Sequence, residues 1–246
     1  MSFMTHLSRR CFVPRLAIIV GLFVMYTPAH AGLCMPPVVE KESLYHYILT
    51  FTNAMGYAKS ALDRIPNTMK SQLSNHDLLL GLELGKADFE CAASQVFPYL
   101  SSFTEPIRIS AQRATSVFAS LVDLQEKSIV QYTAILNSTD GQGIERRMAL
   151  EKQAELDAAY DETWKHLISA AHKATFSAVE ADTTTRGMSG LALTANQRDE
   201  ILQNLRFTFG EEITKGRKAG QIPLLAAAAE MYHVIGNQSK KTSDSK

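Results

Sequence analysis

The stretch from Glu105 to Thr183 carries two long helical patterns separated by a single cluster of turn formers, Asn137-Ser138-Thr139-Asp140-Gly141. In the first pattern Thr104 stands at an N-cap position, with Glu105 and Pro106 in the first turn, where proline costs no intrahelical hydrogen bond. Apolar residues then recur at Ile107, Ala111, Ala114, Phe118 and Leu121, alternating steps of four and three that keep one stripe on one helix face. The stripe weakens at Gln125 and Ser128 and returns at Tyr132 and Ile135. The second pattern runs from about Ile144 to Asp182, with a stripe of Leu156, Tyr160, Trp164, Leu167, Ala171, Ala174 and Ala178. Glu151, Lys152, Glu155 and Glu162 line its opposite face. Each arm exceeds ~30 residues, far above the usual three turns. An isolated helix cannot bury such a stripe, so helices must pack on helices. The expected fold is all-α: an antiparallel bundle of about four main helices, with a central long hairpin at 105–183 and a C-terminal helical pair. Scarce glycine and proline, 13 and 8 residues of 246, argue against an all-β alternative.

The rest of the chain supplies the partners. A helix is predicted over Glu40 to Ile65, with Leu44, Tyr47, Ile48, Phe51, Met55, Ala58 and Leu62 inward and Pro66-Asn67 as its stop. Ser74, with Asp77 three residues later, starts another that runs to about Phe97. Its inward set reads Leu79, Leu82, Leu84, Ala87, Phe89 and Val96, and Pro98 breaks it. Thr183 to Leu193 is rich in Thr and Gly and reads as a loop. Thr194 and Gln197 form a capping box for a helix expected to reach about Gly216. Gln221-Ile222-Pro223 opens a last short helix ending near Gly236, and the polar residues 237–246 read as a disordered tail. Residues 32–236 therefore read as one domain.

Met1 to Ala31 reads as a cleaved export signal. Arg9 and Arg10 form the basic region, Leu16 to Tyr26 the apolar core, and Ala29-His30-Ala31 the small-x-small cleavage pattern. The apolar core is short for a bilayer span, and no later stretch is long enough to be one. Ser8-Arg9-Arg10-Cys11-Phe12-Val13 resembles the twin-arginine export consensus. That resemblance implies export of a folded chain, often with a cofactor, whereas the plain reading is a general secretory signal. A lipoprotein signal would place a small residue before Cys34, where this chain has Leu33. Either export route leads to a bacterial periplasm. Two cysteines then remain, Cys34 and Cys91, and an even count in an oxidising compartment points to one disulfide. Two free thiols or a metal pair are the alternatives, but neither cysteine has a second Cys or a His at ligand spacing.

The chain has 25 basic and 25 acidic residues. Signal removal deletes Arg9, Arg10 and Arg15 and no acid, leaving a slightly acidic protein without the positive excess that nucleic-acid binding requires. No phosphate-binding glycine loop, G-x-G-x-x-G, G-x-S-x-G, H-E-x-x-H or C-x-x-C-H occurs, so no catalytic residue, cofactor site or haem attachment is assigned. Paired Glu-x-x-His motifs hold di-iron in helical bundles. Only one copy occurs, Glu230 to His233, and Ala226, Glu230, His233 and Asn237 read as a solvated stripe. Glu162 and His166 share a helix face and read as rim residues. His46 and His76 are isolated. No metal site is assigned. Tyr45, Tyr47 and Tyr57 read as core or interface residues.

Leu193-Thr194-Ala195-Asn196-Gln197 resembles the Leu-Thr-x-x-Gln motif of small periplasmic stress chaperones, with Leu73 to Asp77 a degenerate second copy. The resemblance implies a cradle for unfolded clients. A capping box preceded by leucine has the same appearance. The leading expectation is a non-enzymatic binding or adaptor protein of the cell envelope, with protein partners, no cofactor and no nucleic acid. Phe207 and Phe209 are its candidate exposed contacts, or else core. The alternatives are a chaperone and a metal or cofactor carrier.

Overall fold

The computed structural model describes residues 34, 35, 37, 39–64, 74–137, 193–214 and 223–243, together with residues 151, 155, 158, 159, 162, 163, 165, 166, 169, 170 and 173. The export signal, the turn after Asn137, and Leu156, Tyr160, Trp164, Leu167, Ala171, Ala174 and Ala178 lie outside the described residues. The described chain is all-α, with no strand among its residues. Its helices are α1 (Leu44–Arg64), α2 (Asn75–Val96), α3 (Glu105–Asn137), α4 (Ala195–Phe209) and α5 (Pro223–Ser243). A 3-10 turn, Phe97–Ser101, joins α2 to the approach of α3.

Among the described residues α1 is the common element, since α2, α3, α4 and α5 all pack on it. Its stripe matches the periodicity: Leu44, Tyr47, Ile48, Phe51, Met55 and Ala58 are buried, and Leu62 is half-buried. The helix begins at Leu44 rather than at the expected Glu40. Ser43 donates its N–H to the Glu40 carbonyl (3.0 Å), closing a turn, and its hydroxyl accepts from the His46 N–H (3.4 Å) as a cap. Two buried hydroxyl pairs tie α1 to its neighbours: Tyr47 to Ser110 at 2.6 Å and Thr50 to Tyr99 at 3.2 Å. Burial pushes both phenols above their ordinary pKa. Near the other end of α1, Arg64 Nε lies 3.0 Å from the buried Asp88 carboxylate.

The inward face of α2 differs from expectation. Leu78, Leu82, Phe89, Ala92 and Val96 are buried, Leu79 and Leu84 are half-buried, and Ala87 is exposed. The true stripe steps four and three through Leu78, Leu82, Gly85, Phe89, Ala92 and Val96, which leaves Leu84 and Ala87 on the flanks. Ser74 caps the helix as expected, accepting from the Asp77 N–H at 3.1 Å. The α3 stripe is buried at Ile107, Ala111, Ala114, Phe118 and Leu121. It does not weaken at Gln125 and Ser128, which are 5% and 0% exposed. Gln125 is tolerated because its Nε2 donates to the Leu82 carbonyl at 3.0 Å, across Gly85.

A Cβ at Gly85 would stand 2.8 Å from Gln125 Nε2. Gly85→Ala gains about 1 kcal/mol of helix propensity but displaces a buried hydrogen-bonded amide, a loss of about 1–3 kcal/mol. The net expectation is destabilisation by about 1 kcal/mol. At Gly236, where an added Cβ meets nothing within 4 Å, alanine is expected to stabilise by about 0.5–1 kcal/mol. Denaturant midpoints of the two variants should move in opposite directions, and a shared direction would refute the Gln125–Gly85 lock.

Two helix ends also differ. α4 stops at Phe209 instead of reaching Gly216, because Gly210 turns to φ +80 and its N–H closes on the Arg206 carbonyl at 2.8 Å. α5 continues through Gly236 to Ser243. Residues 237–243, expected as part of a disordered tail, are therefore helical: one glycine costs about 1 kcal/mol, too little to end a helix whose first half is anchored by Leu224, Ala227, Ala228, Met231 and Ile235.

Candidate functional site

The residues before α1 form a strap. The expected cysteine pair meets: Cys34 and Cys91 stand at bonding distance, 2.12 Å between sulfurs. The Met35 carbonyl accepts from Gln95 Nε2 at 2.6 Å, and Lys41 Nζ donates to the Ser101 hydroxyl at 2.8 Å. The strap thus follows the last turns of α2 and the 3-10 turn toward the start of α3.

It ends at Glu42, which sequence reading missed. Its carboxylate accepts from the Ser102 hydroxyl (3.1 Å), the Phe103 N–H (2.9 Å), the Thr104 N–H (2.9 Å) and the Thr104 hydroxyl (2.6 Å). Thr104 therefore sits where an N-cap was expected, but its hydroxyl donates to Glu42 instead of accepting from the first turn. The cap of α3 is a carboxylate from another segment, placed where the helix dipole favours negative charge. The bond from the Thr104 hydroxyl is the largest cause holding the Glu42 pKa down to about 2, from an ordinary 4.5, and the Phe103 N–H is the next. A depressed carboxylate stabilises the fold fully above its ordinary pKa and loses that contribution as pH falls through the folded value. Wild type should therefore lose more stability than Glu42→Gln between about pH 4.5 and about pH 2. Denaturant titration across that window measures it, and equal slopes would count against the clamp.

Apolar side chains stand out around the strap. Met35 is 69% exposed, Phe97 63% and Phe103 95%. Among the described residues the other exposed large apolar side chains, Leu80, Val130 and Phe207, lie elsewhere along the helices. Phe207 and Phe209 separate cleanly: Phe207 is exposed and Phe209 belongs to the core. Nothing in helical spacing marked Phe103, because it lies between elements.

The histidine and carboxylate candidates remain dispersed. Glu162 and His166 are both exposed, and Glu162 bonds Lys165 Nζ at 2.8 Å, the main cause of its lowered pKa. His46 Nδ1 lies 2.9 Å from Glu40 and 3.0 Å from the Ser43 hydroxyl. His76 is exposed. The stripe on α5 is less solvated than expected: Ala226, Glu230 and His233 are half-buried and only Asn237 is exposed, since α5 packs on both α4 and α1. Among the described residues no group of three His, Cys, Asp or Glu is placed to hold a metal ion. Tyr47 is core, while Tyr45 and Tyr57 pack at its margin, Tyr45 donating to Glu200 on α4. That bond is the first cause raising the Tyr45 pKa to about 12.

The Leu-Thr-x-x-Gln stretch is spent on starting α4. Thr194 Oγ1 accepts from the Gln197 N–H (3.3 Å), Gln197 Oε1 accepts from the Thr194 N–H (2.9 Å), and Leu193 packs against the core.

These features define an all-helical protein with a disulfide-distance cysteine pair and, among the described residues, no helix long and apolar enough to cross a membrane. No family model matches the chain, and neither does a curated protein or a solved structure.

Proposed function

We propose that this chain is an exported, non-enzymatic binding or adaptor protein of the bacterial periplasm that engages protein partners through the end of the molecule crossed by the strap. The observation that carries the reading is the exposure of Phe103, at 95%, on a turn tied down on both sides. Large aromatics held in place are the residues that dominate protein interfaces. Phe97 and Met35 are exposed as well, at 63% and 69%. The cysteine pair fits an oxidising compartment, and the signal features of residues 1–31 supply the route.

A periplasmic chaperone is the second reading. It is favoured by the scatter of further exposed apolar residues among those described, Leu80, Val130 and Phe207, over separate helices. Affinity capture from cross-linked periplasm, using the chain from Gly32, separates the two. One or two stoichiometric partners, lost in a Phe97→Ala/Phe103→Ala variant, are the expected result for an adaptor. Many unrelated partners retained by that variant would establish the chaperone reading, and no protein partner would overturn both.

A further inference from the structure

We propose that Cys34 is a site of reversible S-thiolation, at which an external thiolate opens the Cys34–Cys91 bond while the strap stays seated. The inference does not depend on which partner the chain binds. The two cysteines are unequal. Cys34 is exposed on the strap, whereas Cys91 is 7% exposed on the last turns of α2. Exchange requires the attacking sulfur to reach the sulfur it bonds, so access selects Cys34. Polar groups line that sulfur: Ser94 Oγ stands 3.1 Å from it and Gln95 Nε2 3.7 Å. Gln95 is itself 3% exposed, and its amide also donates to the Met35 carbonyl at 2.6 Å. That buried amide holds the strap beside Cys91 whether or not the sulfurs are joined. Further along, the Lys41–Ser101 bond and the four donors on Glu42 need no sulfur either.

In the first step the external thiolate sulfur bonds Cys34 Sγ and the Cys34–Cys91 bond breaks. Cys91 leaves with the electron pair and takes a proton from water. The remaining ties keep the mixed disulfide opposite Cys91. Once deprotonated again, Cys91 attacks Cys34 Sγ and expels the external thiolate, so closure is an intramolecular reaction.

The test uses the chain from Gly32 in native buffer. Reduced glutathione and, separately, a reduced thioredoxin lacking its second active-site cysteine serve as probes. Acid quenching and peptide mapping locate the adduct. It should lie on Cys34 in roughly ten-fold or greater excess over Cys91 for at least one probe, and the probe that reacts tells a small thiol from a protein thiol. In Gln95→Ala, opening should keep its wild-type rate, while reclosure after removal of the probe slows roughly three- to ten-fold. Hydrogen exchange at Phe103 and Thr104 should be the same in thiolated and oxidised protein. Adducts shared equally with Cys91, or formed only in denaturant, would overturn the site. Two unpaired thiols in protein purified under oxidising conditions would overturn the bond it rests on. Faster exchange at Phe103 and Thr104 on thiolation, or an unchanged reclosure rate in Gln95→Ala, would overturn the seated strap.

Discussion

Phe51→Ala is expected to lower the unfolding free energy by about 3–5 kcal/mol. Phe51 is fully buried on α1, the helix on which α2, α3, α4 and α5 all pack. Its ring centroid lies 6.1 Å from Tyr47 and 6.5 Å from Phe118, so truncation removes two aromatic contacts and leaves a cavity lined by two helices. The surroundings relax only in part, and the cavity adds to the lost transfer energy. Against a total stability of about 5–15 kcal/mol, this is a large fraction. Urea midpoints with their slopes measure it, and Phe207→Ala provides the reference. Phe207 is 92% exposed, so its truncation should change stability by no more than about 0.5 kcal/mol. Equal shifts for the two variants would remove α1 from the centre of the core.

Replacing Cys34 and Cys91 together by alanine should cost about 4 kcal/mol under oxidising conditions, as the chain-entropy relation gives for a loop of this length. The cysteines are separated by 57 positions. Cys34 is exposed, so its replacement removes little packing, while Cys91 is buried and its truncation to alanine removes a single sulfur atom from the interior. The effect therefore falls mainly on the unfolded chain, which gains freedom once the loop is opened, whereas Phe51→Ala acts on the folded core. A dithiol reductant should lower the stability of wild type by the same amount and leave the double variant unchanged. A loss below about 1 kcal/mol would mean that the strap is held by Gln95 and Glu42 rather than by the sulfurs.

Much of the helical content was legible residue by residue. Leu44 to Ala58 on α1 and Ile107 to Leu121 on α3 follow a period that only a helix satisfies. Ser74 and Thr194 cap the helices they were expected to cap, because capping is a contact over three residues. The failures share one cause. Gln125 and Ser128 looked like a break in the stripe, yet they are buried, and what makes Gln125 tolerable is Leu82 and Gly85 on another helix. The Leu79, Leu84 and Ala87 assignments failed because α2 has neighbours on two sides, and apolar residue type alone does not say which side is nearer the centre. The candidate site was less legible still. Glu42 reads as an ordinary charge before a helix, and its donors stand about sixty positions further along the chain.

The sequence by itself determined the quantities that depend on neighbours in the chain: an all-α fold, the apolar stripes of α1 and α3, and the caps at Ser74 and Thr194. Local sterics and a period of 3.6 residues suffice for these. The tertiary structure decided what depends on distant approach: α1 as the shared packing partner, Gly85 as the seat of Gln125, the continuation of α5 past Gly236, and a carboxylate from the strap capping α3. Burial and hydrogen-bond satisfaction are properties of the assembled chain, so a glutamate with no local signal became the residue that holds the backbone N–H of Phe103, which carries the most exposed aromatic side chain among the described residues.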